Sequence, residues 1–197
     1  MNIRAIAALH QHCTRLWHIS EPRAFGQGFL SLVVQNHLEN FQLWHAEDAA
    51  RRDDLGAEAV RQAKRAIDGY NQQRNDLIEQ MDLWLIQELR PAQSGCSFNS
   101  ETPGMIIDRL SILALKVFHM QEETIREDAT DEHKARCSEK LDRLHQQRAD
   151  LLQALAELAA AVRQGDRSFR VYRQFKMYND AELNPQLRAA GSREGAV

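Results

Sequence analysis

Cysteine, proline and glycine are all scarce in this chain of 197 residues, which has three, four and nine of them. Three widely spaced thiols, Cys13, Cys96 and Cys137, make no disulfide framework, and an odd count fits a reducing compartment, so a cytoplasmic protein is expected. The prolines stand at 22, 91, 103 and 185 and leave two long blocks in which helices can run uninterrupted. Ten Ile, seven Val and four Thr are few β-branched residues for a sheet protein. No apolar run approaches the ~20 residues that a membrane span needs. The opening MNIRAIAALHQHCTRLWHI carries His and Arg throughout, unlike a signal peptide. Neither sign of charge dominates, and a net charge of −3 argues against nucleic acid as a partner. A Gly-rich phosphate loop, a metal-type Cys cluster and a nucleophile elbow are also missing.

What is present is helix-forming: Ala, Leu, Gln, Glu and Arg dominate, and 43% of residues are hydrophobic, ample for one core. An N-terminal helix is expected around residues 2–18. Apolar residues from Phe29 through Trp44 towards Arg51 keep a 3–4 residue rhythm, and RRDDLGAEA reads as a turn. A second stripe runs through Val60, Ile67, Tyr70, Leu77, Met81, Trp84 and Leu85. Pro91 to Pro103 is a loop, and a helix beginning at Ser100 or Thr102, with proline early, carries MIIDRLSILALKVFHM. That segment is apolar on nearly every side and belongs at the centre of a bundle. After the turn EDATDEH, a helix through Leu141, Leu151, Leu155 and Val162 ends near Gly165. Trp17, Trp44 and Trp84 are expected in the core, and an amphipathic helix is expected over 167–178. One domain thus spans 1–187, with a disordered tail over 188–197.

The chain also matches itself. IDGYNQQRNDLI (67–78) aligns with LDRLHQQRADLL (141–152) at an offset of 74, so Asp68, Gln72, Gln73, Arg74, Asp76 and Leu77 recur as Asp142, Gln146, Gln147, Arg148, Asp150 and Leu151. Upstream, LWHAEDAAR (43–51) aligns with VFHMQEETIR (117–126), and His45 falls on His119 at the same offset. The expected architecture is all-α: an antiparallel four-helix bundle of two duplicated αα-hairpins, with extra N- and C-terminal helices.

On that scaffold His45 and Asp48 share a helix face, as do His119 and Glu122, and each hairpin returns an Asp, Asp68 or Asp142, near the level of its His. Two imidazoles and four carboxylates suit Fe, Mn or Zn inside a bundle. The same pairs would also serve as hydrogen-bonded bridges between helices, or line a metal-free anion pocket. Arg74 and Arg148 interrupt apolar stripes, so each must meet an acid, a carbonyl or a ligand. Folded hairpins place Asn36 level with Arg74 and Asp108 near Arg148, where an ion pair would fix register. The alternative is an anion clamp of Arg74, Arg109, Lys116 and Arg148. Arg170, Tyr172, Arg173 and Lys176 mix basic and aromatic groups, which suits either a partner surface or rings packed on the bundle.

Four segments, LWHAEDAAR, IDGYNQQRNDLIE, NSETPGMIIDRLSILALKVFHM and VYRQFKMYNDAELNP, resemble the bacterial family called domain of unknown function 4254. The resemblance runs from about residue 25 to 187, and Ala181 departs from the proline of the family's YNDP run. It implies a mostly helical bacterial protein with no activity assigned. Members are encoded near glycosyltransferases and lipopolysaccharide enzymes, which implies an accessory or interaction role in envelope polysaccharide synthesis, with a glycosyltransferase or another protein as partner. A leftover apolar face would make the chain a homodimer. The competing reading is a metal-dependent enzyme with a pseudo-symmetric His/carboxylate site acting on a nucleotide or sugar phosphate.

Overall fold

Short polar residues just outside the apolar stripes set where each helix begins. In the computed structural model, which describes residues 2–173, 182–185 and 188, the Asn2 side chain accepts from the amide of Ala5 at 3.1 Å and starts α1 (Ile3–Trp17). Thr102 does the same for Met105 at 3.2 Å and starts α4 (Pro103–Ile125), with proline at the first helical position. Thr130 caps α5 (Asp131–Gln164) through His133, and Asp131 and Glu132 stand in the first turn where the helix dipole favours negative charge. Between them lie α2 (Gly28–Ala49) and α3 (Ala57–Leu89), joined by a short 3₁₀ turn over Asp53–Leu55. Gly165 ends α5 in the left-handed conformation, φ 82°.

The architecture is all-α. Two helical hairpins, α2/α3 and α4/α5, pack through α2–α4 and α3–α4. The core joins Val33, Met81, Leu85, Ile107, Leu110, Leu155 and Val162, and its most heavily buried element is α4, as its apolar sequence requires. The α1 helix is not an appendage. It packs on α2, α4 and α5, sends fully buried Ile6 into the main core, and builds a second cluster from Cys13 and Trp17 against Val34, Phe41 and Leu115. Trp44 and Trp84 are partly buried against these clusters.

One expectation is overturned at the C-terminal end. Arg167–Ser168 is a two-residue strand, β2, paired in parallel with β1 (Ser97–Phe98), and residues 169–173 are not helical. Phe169 is buried and Ser168 Oγ donates to the carbonyl of Ala92 at 2.8 Å, so the segment clasps the 91–102 loop. The rest of the expected 167–178 helix, including Lys176, lies outside the described residues, as does the 188–197 tail apart from Arg188.

Candidate metal centre

Three histidines meet near the C-terminal ends of α1, α2 and α4. His18 caps α1, His45 comes from α2 and His119 from α4, and one ring nitrogen from each lies within 4.8 Å of the other two. The ring centroids of His18 are 5.5 Å from His45 and 5.0 Å from His119. Two of the rings are oriented by bonds at their other nitrogen. His18 Nδ1 lies 2.6 Å from the carbonyl oxygen of Thr14, which can only accept, so this nitrogen carries the proton. His119 Nδ1 lies 2.9 Å from Glu122 Oε2 and donates to that carboxylate. In the neutral form of each ring Nε2 is the lone-pair nitrogen, and in both rings it is buried without a hydrogen-bond partner. A carboxylate or carbonyl behind an imidazole, with the far nitrogen free, is the arrangement that orients metal-ligating histidines.

Aromatic rings fix the geometry further. Trp44 stacks on His119 at 4.8 Å and Phe118 stacks on His18 at 4.1 Å. His45 is the exposed member, and the site opens there into a shallow groove between α2 and α3. Burial pushes the His45 pKa down, and the neighbouring His18 and His119 push the same way, against the opposing pull of Asp48 and Glu122. The neutral imidazole, the ligand form, is therefore favoured.

The carboxylates of the sequence reading divide. Glu122 stands behind His119, and Asp48 acts on His45 by charge. Asp68 and Asp142 are exposed and join no group of converging ligands among the described residues, which corrects the six-residue set. The groove beside His45 meets α3 through Ala63, Ala66 and Tyr70, and Asp68 lies on another face of that helix. His18 escaped the sequence reading because the internal repeat has no counterpart for α1, and only its position before Pro22 marks it as a helix end.

The four cations do not form one clamp. Arg74 forks onto Asp108, with Nη2 2.8 Å from Oδ2 and Nε 2.9 Å from Oδ1. Asn36 and Asn40 donate to the same carboxylate at 3.0 and 2.8 Å. Asn36 and Arg74 are level, as expected, but the acid between them is Asp108, which was expected near Arg148; Arg148 donates instead to the carbonyl of Ala7 at 3.2 Å. Arg109 binds Glu101 and, with Lys116, Gln147 and Asp150, lines a separate α4/α5 groove. Arg170 sits over the Phe98 ring, 5.5 Å from its centroid, and Tyr172 and Arg173 are exposed.

Beside the histidine centre a buried polar chain crosses the helices, and its proton direction is fixed by its ends. The Thr14 hydroxyl spends its hydrogen on the carbonyl of His10, 2.9 Å away, so His37 Nε2 must donate to Thr14 Oγ1 at 2.9 Å. His37 Nδ1 then accepts from Ser111 Oγ at 2.7 Å, which itself accepts from Asn40 Nδ2 at 3.0 Å. Burial lowers the His37 pKa to about 3 and keeps the ring neutral.

Residues 30–171 match the model of a family described as protein of unknown function DUF4254. The chain belongs to that family. In this DUF4254 member the match takes in His45 and His119, whereas α1 and its His18 lie before it. No curated protein and no solved structure matches the chain at a significant level.

Proposed function

We propose that this DUF4254 protein is a metal-dependent enzyme whose cation is held by His18, His45 and His119. The observation that carries the reading is the convergence of three ring nitrogens, with the free nitrogens of His18 and His119 buried and unpartnered. Burying a polar atom without a partner costs about 1–3 kcal/mol, a cost that a cation at the centre removes. Three nitrogen ligands with an open side suit Zn, Fe or Mn, and such an ion supplies Lewis acidity to a carbonyl, phosphoryl or water oxygen. The chain's own residues do the positioning. Glu122 holds the His119 tautomer, the Thr14 carbonyl holds His18, and Trp44 and Phe118 exclude water from two faces. Substrate would enter beside His45, along Gln42, Gln62, Ala63, Ala66 and Tyr70. Among the described residues no Lys or Arg lines that groove, so the phosphate of a nucleotide or sugar phosphate would contact the cation itself.

The test is metal content of untagged protein purified without chelator. The His45→Ala/His119→Ala variant is expected to hold about one equivalent less of a divalent transition metal than the wild type, and Asp68→Asn/Asp142→Asn to hold the same amount. A folded wild type and double variant with equal metal content end this reading.

A second reading is an interaction role alongside envelope-polysaccharide enzymes such as a glycosyltransferase. What favours it is the same α2/α3 groove, whose small Ala46, Ala49, Ala59, Ala63 and Ala66 would let another helix approach closely. We further infer that the hairpins arose by duplication into a four-helix bundle, and the i,i+4 bonds Gln72→Asp76 and Gln146→Asp150, both 2.7 Å, support this.

A further inference from the structure

One helical turn beyond His119, a second and different set of ligand atoms converges. Glu123 on α4, with His133 and Cys137 on the first turns of α5, places a carboxylate oxygen, a ring nitrogen and a sulfur within 4.8 Å of one another. His133 Nε2 is the shared atom: it lies 2.8 Å from Glu123 Oε2 and 3.3 Å from Cys137 Sγ. Without its proton, Nε2 would set its lone pair against a carboxylate. With it, the N–H goes to the carboxylate oxygen and the sulfur is left at contact distance from a nitrogen that it does not bond well. A cation in place of that proton would bond all three atoms at once.

We propose that Glu123, His133 and Cys137 form a second metal site, selective for Zn²⁺ or a similar borderline cation because it combines thiolate, imidazole and carboxylate. Oxygen-preferring Mg²⁺ and Ca²⁺ are disfavoured by the sulfur and nitrogen donors. Cys137 is buried while His133 and Glu123 are each about one-third exposed, so the cation has an entry path from the α4/α5 turn. Arg126 also donates to Glu123, at 2.9 and 3.1 Å, but it is half exposed and holds Asp128 as well, so it can yield one carboxylate oxygen. Binding releases the thiol proton, so affinity rises with pH. No residue is shared with the tri-histidine centre, and the proposal does not depend on it.

Cobalt(II) distinguishes the two sites, because only Cys137 can give a thiolate-to-cobalt charge-transfer band in the near ultraviolet. Full-length reduced protein is titrated with Co²⁺ and then with Zn²⁺. The expected band appears in the wild type and in His45→Ala/His119→Ala, disappears in Cys137→Ser, and is displaced by Zn²⁺. His133→Gln, a variant that leaves the thiol in place, and Glu123→Gln are each expected to weaken Zn²⁺ binding by about tenfold or more. Zn²⁺ should also shield one thiol from alkylation, mapped to Cys137 and not to Cys13 or Cys96. Cobalt uptake without a thiolate band, a band that survives Cys137→Ser, or no uptake at all overturns the proposal.

Discussion

A methyl group at Gly104 has nowhere to go. It would fall 2.7 Å from Asp82 Oδ1 and 2.8 Å from the carbonyl oxygen of Ile78, and the second of these is helix backbone. Asp82 is held there because Oδ1 accepts from the Gly104 amide at 2.7 Å and Oδ2 accepts from the Thr102 hydroxyl at 2.5 Å, so the start of α4 is bonded to the side of α3. Gly104→Ala is therefore expected to destabilise the protein by about 1–3 kcal/mol, read as a lower urea midpoint at unchanged slope. An unchanged midpoint would show that the two helices can separate freely at this point. The sequence placed Thr102 and Pro103 correctly, because caps are local chemistry. It could not show why glycine follows them, because that reason comes from a helix twenty residues earlier in the chain.

At the scale of the element, the two matched arginines show how far repeat logic reaches. Arg74 and Arg148 occupy equivalent places, yet α3 packs on α4 while α5 and α2 share no contact among the described residues, since α1 lies on both. Arg74 consequently finds buried Asp108, whereas Arg148 donates to a main-chain carbonyl of α1, with burial pushing its pKa down. Their replacement by a chain of similar length should then differ. Arg74→Met leaves a carboxylate buried without its cation and is expected to cost about 3–5 kcal/mol, whereas Arg148→Met is expected to fall within about 1 kcal/mol of the wild type. Chemical unfolding of the two variants checks this, and equal losses would refute the asymmetry. The same helix breaks symmetry at the histidines: Trp44 stacks on His119, but Phe118, its counterpart in the repeat, stacks on His18. The long helices and the central place of α4 were legible from periodicity, and the 74-residue offset paired His45 with His119 as equivalents without showing that the two rings meet. The role of α1 was not, because nothing in the sequence matches it to another segment.

For the whole molecule, buried titratable groups set the response to acid. His37 and His10 are held neutral, chiefly by burial, with His10 pushed down further by His37 and Arg148. In the unfolded chain both take up protons below about pH 6.5, so their contribution to stability is complete above that pH and is lost as pH falls. Asp82 opposes them. Burial raises its pKa to about 6, so the folded state binds this proton first, and stability gained from Asp82 appears as pH falls from 6 towards 4. Burial also raises the pKa of Glu39 and lowers that of His45, adding one group to each side. Three imidazoles outweigh two carboxyls, and unfolding free energy is expected to fall between pH 6.5 and 5, with a limiting slope of about 1.4 kcal/mol per pH unit for each uncompensated group. Urea titrations at several pH values measure it, and His37→Gln should flatten the slope. Stability that is level or rising over this range would contradict the assignment.

The small clasp between β1 and β2 has a consequence for how the chain closes. Ser97 and its partner Arg167 are 70 positions apart, and joining such distant points in a free chain is costly in entropy. Once α4 and α5 have folded back on each other, however, the ends of the two helices already lie together, and only the few residues on either side remain to be tied. The two parallel bonds, Ser97 N to Asp166 O at 3.1 Å and Asn99 N to Ser168 O at 2.8 Å, are made by main-chain atoms. That pairing asks nothing of the side chains at 97 and 99, so variation can be tolerated there, whereas buried Phe169 and the Ser168 hydroxyl tie the other side of the closure to particular residues.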